Sequence, residues 1–302
     1  MKTDIFLEHL KQYTSRFNQE IDHYFPFPQG EEKRVTQAMH YSLSCGGKRL
    51  RPFLVYSTAK LFGVDYNASI NTAMALEMLH TYSLIHDDLP AMDNDDFRRG
   101  FPTCHKKFDE ATAILAGDGL LTYAFEILSS PKTSADTNIR CQLISLLARE
   151  AGAFDGMIAG QMLDISAEKY TISTPNANNI ISRIEEMKTG RLLHYAVEAG
   201  AILGNASPEL REQLSLYSRK IGIAFQITDD ILDVEGNEHL VGKTLRKDNN
   251  KNKLTFINLY GLEKSKQMAE ELINKAIQSL SAFGSNADDL RQLAQYILTR
   301  NH

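Results

Sequence analysis

Two clusters of aspartates lie about half a chain apart, and each follows an apolar segment of helical character. They occupy residues 87–93 and 229–233, with carboxylates at Asp87, Asp88, Asp93, Asp229, Asp230 and Asp233. Two unit charges about 4 Å apart repel by about 4 kcal/mol at an effective dielectric near 20, so crowded carboxylates favour a bound cation. Mg²⁺ prefers oxygen ligands and joins one or two protein carboxylates to substrate phosphates. The two clusters therefore predict a magnesium site for a phosphorylated substrate.

The size and charge of the chain set further limits. It has 302 residues, of which 43% are hydrophobic, and it contains no linker rich in proline, glycine or serine. We therefore predict a single domain over residues 1–302. The net charge of −5 and the scattered basic residues lead us to expect no nucleic-acid partner.

The cysteines and the apolar segments bear on localisation. Cys45, Cys104 and Cys141 form no metal-ligand spacing, and an odd number of cysteines is typical of reduced thiols. The N-terminal residues lack an uninterrupted apolar segment, and no stretch reaches eighteen apolar residues. We therefore expect a cytoplasmic protein with no stable membrane anchor.

Helical periodicity dominates the chain, and strand alternation is nearly absent. Apolar residues recur every three or four positions among good helix formers, which predicts helices near residues 4–22, 32–62, 67–88, 109–129, 136–164, 177–203, 208–234, 253–262 and 264–282. Glycine, proline and polar residues mark the breaks between them. The short connections predict an all-α fold of packed antiparallel helices.

The aspartates fall on defined faces of two of these helices. His80 and Asp87 are seven residues apart and share a stripe, and Pro90 then ends the helix. An irregular turn at residues 89–92 would return Asp93 towards Asp87. On the second helix, Gln226 precedes Asp229, Asp230 and Asp233 at spacings of three, four and seven. Either stripe alone is equally compatible with an ordinary solvated helix face.

Four basic elements complement the aspartates. Residues 46–52 combine two glycines with three cations, and further cations follow in residues 98–100 and 188–190. The fourth element, residues 236–252, is a polar loop whose length and lysines suit a lid over an anion. Each element alone fits an ordinary surface cluster. Together they predict a site for two anionic substrates, one bound through metal and one through Arg and Lys.

The motifs themselves resemble a known family. Residues 79–105 are similar to the first aspartate-rich region of bacterial farnesyl diphosphate synthases, which are short-chain trans-polyprenyl diphosphate synthases. Residues 46–52, 160–164, 188–190 and 225–233 match the same family in the same order. The resemblance spans roughly residues 30–300. It implies an isoprenoid-synthase fold, with about ten core helices around a deep central cavity, and a homodimer.

The resemblance also assigns roles to residues. It implies about three Mg²⁺ ions, with Mn²⁺ as an alternative, held by Asp87, Asp88, Asp93, Asp229 and Asp233. It implies that the allylic diphosphate is bound by Arg98, Lys188, Thr189, Gln226, Lys243 and Lys253. Isopentenyl diphosphate would be bound by Lys48, Arg51, His80 and Arg99. Its implied catalytic set is Asp87, Asp88, Asp93, Arg98, Lys188, Asp229 and Lys243.

The implied reaction is a five-carbon chain extension. The allylic diphosphate, dimethylallyl or geranyl, ionises; isopentenyl diphosphate attacks the carbocation; and proton loss gives farnesyl diphosphate and pyrophosphate. Metals and cations stabilise the leaving group, and a dry cavity protects the cation. Tyr82, with the small Ser83 beside it, resembles the bulky residue that limits the product to fifteen carbons. An ordinary packing role for this tyrosine is the alternative.

The sequence departs from the family pattern at a few positions. Asn94 stands where relatives usually carry aspartate, Arg246 replaces a usual glycine, and residues 254–257 differ from the usual segment. Three other functions compete with farnesyl diphosphate synthesis. A terpene cyclase needs no second diphosphate site, a ten- or twenty-carbon synthase differs only in product length, and a non-catalytic partner subunit would carry degraded aspartate motifs.

Overall fold

The protein is built almost entirely of helices. The computed structural model describes residues 2–167, 169–235 and 254–300. The α-helices are α1 (Lys2–Glu20), α2 (Lys33–Ser44), α3 (Leu50–Lys60), α4 (Tyr66–Asp87), α5 (Cys104–Lys107), α6 (Glu110–Ser129), α7 (Thr137–Ala151), α8 (Met157–Ala167), α9 (Ala177–Glu185), α10 (Arg191–Leu203), α11 (Pro208–Glu235), α12 (Phe256–Tyr260), α13 (Leu262–Ser279) and α14 (Asp288–Thr299). The all-α prediction is confirmed.

Shorter elements connect some of these helices. Two 3₁₀ turns occupy Ile21–Tyr24 and Ser281–Ala287, and a π-helical turn at Glu186–Gly190 joins α9 to α10. A small antiparallel hairpin pairs β1 (Phe97–Arg98) with β2 (Phe101–Pro102). The hairpin follows the first aspartate cluster directly and carries two of the predicted basic ligands.

Side-chain caps fix where several helices begin. Asp65, Asp109 and Asp136 accept hydrogen bonds from backbone N–H groups in the first turns of α4, α6 and α7. Such caps satisfy N–H groups that have no partner within the helix, and each contributes about 0.5–2 kcal/mol. These starts lie within one or two residues of the predicted ones.

Two predicted helices are interrupted, so those predictions are wrong in part. The helix predicted over residues 32–62 breaks between α2 and α3, where Gly46, Gly47 and Arg49 have φ of 79°, 121° and 51°. Positive φ is incompatible with a right-handed helix. The helix predicted over residues 136–164 breaks at residues 152–156. The C-terminal helix α14 was not predicted.

Helix α4 lies at the centre of the molecule. Its residues from Ala73 to Leu79 are almost fully buried, and it packs along α6 and against α3. Gly200 of α10 sits so close to α3 that an added Cβ would lie 2.6 Å from Cβ of Thr58. Because α3 packs in turn against α4, this contact supports the helix that ends at Asp87.

A buried ion pair anchors the loop between α2 and α3 to α4. Arg49 Nη1 lies 2.7 Å from Glu77 Oε1, with both side chains almost fully buried. Arg49 also donates to the Leu43 carbonyl and to Asn18. The sequence groups Arg49 with the diphosphate-binding cations, but the structure directs it into the core. Its role is to hold the glycine loop in place.

Helix α6 is apolar enough, and long enough, to cross a membrane on composition alone. It packs along α4, and 44% of its apolar window is buried within the protein. Core helices pass the same test, so this feature is weak support for a membrane span.

Candidate active site

The first aspartate cluster is shaped by the end of α4. Pro90 prevents the helix from continuing, and the N–H of Met92 donates to the Leu89 carbonyl at 2.9 Å. The N–H of Asp93 then donates to the Asp87 carbonyl at 2.8 Å, so the turn returns Asp93 to the helix end. Asn94 has φ of 52°, a conformation that asparagine tolerates better than most residues. The irregular turn predicted from the sequence is present.

Asp87 occupies an environment that disfavours its negative charge. The pKa of Asp87 is raised to about 6, chiefly by burial and with smaller contributions from Asp93 and Asp88, while Lys188 and Arg98 oppose the rise. A carboxylate held in this way is stabilised when a cation binds beside it. The predicted metal ligands Asp87 and Asp93 therefore lie together at the end of α4.

Asp88 and Arg98 bind each other. Arg98 Nε donates to both carboxylate oxygens of Asp88 at 2.9 Å, and Nη2 donates to Oδ1 at 2.5 Å. Asp88 is buried, and burial raises its pKa against the opposing effect of Arg98. This bidentate pair ties the hairpin to α4 and aims Arg98 at the cluster.

The hairpin also connects two of the basic elements. Arg99 and Gly100, at its tip, have φ of 52° and 81°, as a tight hairpin turn requires. Arg99 Nη1 donates to the Gly46 carbonyl at 2.5 Å. A Cβ on Gly47 would lie 2.5 Å from Arg99 Nη1. Glycine at position 47 therefore allows the guanidinium to rest on the loop backbone.

The predicted ligands of isopentenyl diphosphate form a basic group. Arg51 Nη1 lies 3.4 Å from His80 Nε2. Burial, followed by the charges of Arg51 and Arg99, lowers the pKa of His80 well below its usual value, so His80 is neutral. Burial lowers the pKa of Arg51 as well, and its buried Nε has no hydrogen-bond partner among the described residues. The Arg51 guanidinium, whose pKa is further lowered by the neighbouring charge of Arg99, favours a bound anion.

Lys48 gives this basic group a pH dependence. Burial, with a smaller contribution from Arg300, lowers the pKa of Lys48 to about 8, while Asp229 opposes the shift. We expect kcat/KM for isopentenyl diphosphate to fall about tenfold or more as pH rises through 8, because a charge-assisted hydrogen bond is lost. Lys48→Arg keeps its charge at all these pH values and should remove the alkaline fall. Identical profiles measured from pH 7 to 10 for both proteins would contradict this role.

Two predicted allylic ligands lie on the π-helical turn. Lys188 Nζ lies 2.6 Å from Asp164 Oδ2, and Thr189 Oγ1 donates to Gln226 Oε1 at 3.1 Å. Through the side chains of Lys188 and Thr189, the turn therefore contacts both α8 and α11. It places Lys188 beside Asp87, whose charge contributes to raising the pKa of Lys188.

Close packing of Gly160 positions this turn. A Cβ on Gly160 would lie 2.3 Å from the backbone N of Lys188, which cannot move without shifting the turn. We expect Gly160→Ala to destabilise the protein by about 1–3 kcal/mol and to raise KM for the allylic substrate. Gly119→Ala is the matched control, because its Cβ would meet only the flexible Met39 side chain. Thermal unfolding and steady-state kinetics measure both effects, and unchanged values for Gly160→Ala would refute the positioning role.

The second aspartate cluster lies on α11. Asp229 Oδ1 accepts a hydrogen bond from Arg300 at 2.7 Å, and Asp230 accepts one from the Phe256 N–H at 2.9 Å. Asp233 is half-buried near the end of the helix. The carboxylates of Asp229 and Asp230 are therefore turned to different neighbours.

Two residues of the site were missed by the sequence analysis. Arg300, which is 8% exposed, stacks 3.7 Å over the Phe225 ring and holds Asp229. Glu185 lies near Asp230 and Asp164, and burial followed by these charges raises its pKa well above the usual value. No spacing rule connects either residue to the aspartates, because both reach them only through the tertiary fold.

An apolar cavity of about 580 Å³ begins at these polar groups. Its polar end includes Arg51, His80, Asp87, Lys188 and Thr189. The remaining walls are largely apolar and come from α4, α6 and α8, with lining residues Tyr82, Ser83, His86, Asp118, Leu121, Met157, Ile158, Gln161, Met162 and Ile165. The volume is typical of a ligand pocket. Predicted ligands of both diphosphates therefore share one cavity, while Lys243 and Lys253 lie outside the described residues.

Comparison with known proteins agrees with this geometry. A family model described as polyprenyl synthetase matches residues 32–297. The chain belongs to the polyprenyl synthetase family. Curated members include the farnesyl diphosphate synthase of Micrococcus luteus, 45% identical over 89% of this chain and 90% of the relative, and that of Escherichia coli, 43% identical over 98% and 99%. The family prediction and the enzyme class, trans-prenyltransferase, are confirmed.

Solved structures of family members share the architecture. A crystal structure of an FPP/GFPP synthase from Zymomonas mobilis has a TM-score of 0.87 and 43% identity, covering 98% of this chain and 99% of the other. The predicted isoprenoid-synthase fold is therefore confirmed. A geranylgeranyl diphosphate synthase from Cyanophora paradoxa is 40% identical over 91% of this chain. Family members of different product length thus share similar identity with this chain.

Proposed function

We propose that this chain is a farnesyl diphosphate synthase that acts through one catalytic domain over residues 1–302. It condenses isopentenyl diphosphate with dimethylallyl and then geranyl diphosphate, releasing pyrophosphate. The proposal rests on one observation: the polar end of the cavity consists of two separate groups of residues. Asp87 with Lys188 forms one part and Arg51 with His80 forms the other. The allylic diphosphate and isopentenyl diphosphate therefore have separate binding residues at the polar end of one apolar cavity.

The aspartates fit divalent cations of the Mg²⁺ type. Asp87 is a half-buried carboxylate whose pKa is raised chiefly by burial and also by the charge of Asp93, which adjoins it. No three acidic, His or Cys side chains within residues 2–167, 169–235 and 254–300 form a closed metal site. Mg²⁺ suits such a site because it retains waters and takes substrate oxygens as ligands.

The metal ligands would be the five predicted carboxylates. About three Mg²⁺ ions, or Mn²⁺ in their place, would be held by Asp87, Asp88, Asp93, Asp229 and Asp233. When bound, these ions supply positive charge that stabilises the departing pyrophosphate.

The chain's own residues carry the other parts of the reaction. Lys188 lines the cavity beside Asp87, and Arg98 lies outside the lining but near enough to lower the pKa of Asp87; both would stabilise negative charge on the leaving diphosphate. Arg51, Arg99 and Lys48 hold isopentenyl diphosphate, and neutral His80 donates one N–H to it. The apolar walls exclude water from the allylic cation, so the double bond of isopentenyl diphosphate attacks it instead. In the family the proton that is lost passes to pyrophosphate.

The basic group favours elongation over cyclisation. A terpene cyclase binds one diphosphate and has no use for a second diphosphate site, yet here the Arg51 guanidinium lies 3.4 Å from neutral His80 at a second part of the cavity's polar end. Overall sequence identity does not distinguish relatives of different product length, so we infer product length from the residues of the cavity wall. Tyr82, which lines the cavity between α4 and α6, supports a fifteen-carbon product over the ten- and twenty-carbon alternatives.

We further propose a homodimer located in the cytoplasm. One relative, a chloroplastic heterodimeric geranylgeranyl pyrophosphate synthase large subunit from Arabidopsis thaliana, is named for its assembly with another chain. That relative is 42% identical over 91% of this chain, which supports a subunit interface on this fold. Both aspartate motifs are intact here, as a catalytic subunit requires.

The decisive experiment is a condensation assay. Purified protein is incubated with labelled isopentenyl diphosphate and either dimethylallyl or geranyl diphosphate, with Mg²⁺ or with EDTA, and the products are separated by chain length. We expect a Mg²⁺-dependent fifteen-carbon product from both starters. Longer products would keep the reaction and reject the Tyr82 limit, whereas no condensation would reject the proposed function.

A further inference from the structure

Helix α4 carries one acidic residue before Asp87. Glu77 is the only Asp or Glu within residues 66–86, and it lies on the stretch from Ala73 to Leu79 that is almost fully buried, with its own side chain 3% exposed. A charge in such a place needs a partner. Taking an ion pair out of water often costs more than the attraction within the pair returns, so a buried pair is weak evidence for stability. The position of Glu77 therefore indicates a role besides packing.

The partner of Glu77 is Arg49, which joins three helices. Arg49 Nη1 donates to Glu77 Oε1 of α4 at 2.7 Å, and Nε donates to Asn18 Oδ1 of α1 at 2.9 Å. Nη2 donates to the Leu43 carbonyl of α2 at 2.6 Å, and the whole side chain is buried. All three nitrogens of the guanidinium thus have an acceptor. Of these three acceptors Glu77 carries the negative charge, so it decides whether the guanidinium remains in the core.

The direction of the Arg49 side chain sets the glycine loop, residues 45–49. Arg49 has φ of 51° and immediately precedes α3. A non-glycine residue keeps this left-handed conformation only when its surroundings hold it there. With Arg49 directed into the core, the residues on either side point elsewhere: Arg51 reaches His80, and Lys48 lies near a tyrosine ring of α14. Both predicted ligands of isopentenyl diphosphate therefore take their directions from the residue between them.

One face of α4 contacts this segment twice. Glu77 and His80 are three residues apart and share that face, so Glu77 holds Arg49 while His80 meets Arg51. Burial lowers the pKa of both Arg51 and Arg99, and the charge of Glu77 is the largest effect that opposes the shift. Three guanidiniums that repel one another therefore lie near one buried carboxylate.

Other contacts with the glycine loop are weaker or use a substrate ligand. Thr14 Oγ1 donates to the Lys48 carbonyl at 3.4 Å, which is long for a hydrogen bond. Arg99 donates to the Gly46 carbonyl, but Arg99 is itself a predicted ligand of isopentenyl diphosphate. A diphosphate that draws Arg99 towards itself competes with this contact. The anchor at Glu77 is buried in the core, so it holds the loop both with and without substrate.

We propose that Glu77 is a positioning residue for isopentenyl diphosphate. By holding Arg49 in the core, it keeps the glycine loop in the arrangement that presents Lys48 and Arg51 to the diphosphate. The inference rests on the proposed function and adds to it a residue that acts on the substrate only through Arg49. The same helix carries Asp87 ten residues further on, about 15 Å along the axis, so α4 sets the spacing between the two diphosphate-binding groups.

Glu77→Gln tests this role with little change of shape. We expect the KM for isopentenyl diphosphate to rise about tenfold or more, because the unpaired guanidinium of Arg49 leaves the core and the loop moves with it. The KM for geranyl diphosphate and kcat should stay within about threefold of wild type. Glu198→Gln is the matched control, since Glu198 is also buried and pairs with Arg211, and it should change neither KM. Equal rises of both KM values for Glu77→Gln, or no rise, would overturn the proposal.

A double variant separates positioning from stability. Arg49→Met combined with Glu77→Leu replaces the pair by apolar side chains, which often restores or increases stability. We expect this protein to melt at or above the temperature of Glu77→Gln. Its KM for isopentenyl diphosphate should nevertheless remain about tenfold or more above wild type, because the loop has lost its contacts with Asn18 and Leu43. A wild-type KM would mean that the pair only stabilises the fold, and the proposal would be wrong.

Binding measured without turnover distinguishes failure of this inference from failure of the proposed function. Calorimetry with isopentenyl diphosphate alone, which has no allylic partner to react with, gives its Kd for wild type and for Glu77→Gln. We expect Kd to rise about tenfold or more and amide exchange at residues 46–48 to accelerate by about as much, with neither change in Glu198→Gln. If wild type condenses no substrate but these changes occur, the proposed function fails and the positioning role is supported. If wild type elongates and Glu77→Gln changes neither Kd nor exchange, only the positioning role is rejected.

Discussion

Asp87→Asn should lower kcat by about 10²–10³, with little change in fold. The substitution keeps the shape of the side chain but removes the charge whose burial raises the pKa of Asp87 to about 6. In the proposed mechanism, stabilisation of the leaving pyrophosphate depends on cations held at this position, and removing one such electrostatic contact costs about 10²–10³ in rate. Single-turnover release of pyrophosphate from geranyl diphosphate, measured over a range of Mg²⁺ concentrations, gives the loss directly.

Asp96→Asn is the control for this measurement. Asp96 follows the same cluster in sequence, but it is exposed and pairs with Lys106 at 2.9 Å. Its loss should leave kcat within about twofold of wild type, because exposed ion pairs contribute little. Equal effects of the two substitutions would mean that general acidity of the segment, rather than the position of Asp87, matters.

The sequence predicted the helices well where local signals decide the structure. Capping aspartates such as Asp65 and Asp109 mark helix starts that tertiary contacts do not alter. It failed at residues 45–49, where Gly46 and Gly47 were assigned to a phosphate-binding motif and not to a break in the helix. The break depends on positive φ at Gly46, Gly47 and Arg49 and on the ion pair of Arg49 with Glu77. That pair joins residues 28 apart and leaves no local pattern.

The residues of the site were likewise predicted where they lie in local motifs and missed where only the tertiary fold brings them together. Motif residues such as Arg51, His80, Lys188 and Thr189 lie together, because each motif places its side chains on one helix end or turn. Arg300 lay outside any recognisable motif. It reaches Asp229 only because α14 brings the C-terminus against α11.

The roles of individual cations could not be read from their spacing either. Residues 48–51 place Lys48, Arg49 and Arg51 in one motif, yet the structure buries Arg49 against Glu77 and leaves Arg51 beside His80. In such a short turn, neighbouring residues direct their side chains to opposite sides of the backbone. Only the fold shows which of them can contact a ligand.

Tyr82 is held rigidly in the cavity wall. Its ring packs edge-on against His86 with centroids 5.5 Å apart, and His86 Nε2 lies 3.1 Å from the Ile114 carbonyl of α6. An added Cβ on Gly117 would lie 2.1 Å from His86 Nε2, so α6 fixes the imidazole from behind. Tyr82 begins about 7.5 Å along the helix axis from Asp87, at 1.5 Å per residue. We therefore propose that a growing chain that starts at the aspartates meets the Tyr82 ring.

Tyr82→Ala should convert the enzyme to products of twenty carbons or more as the major fraction. Removing the ring opens the wall, and each further addition buries more of the apolar chain, which is favourable at about 25 cal/mol per Å². Chromatography of products from geranyl diphosphate measures the shift. Tyr82→Phe is the matched control: it keeps the ring and should keep the fifteen-carbon product, because bulk and not the hydroxyl stops growth. If Tyr82→Ala still stops at fifteen carbons, another group in the wall, such as His86, limits the chain.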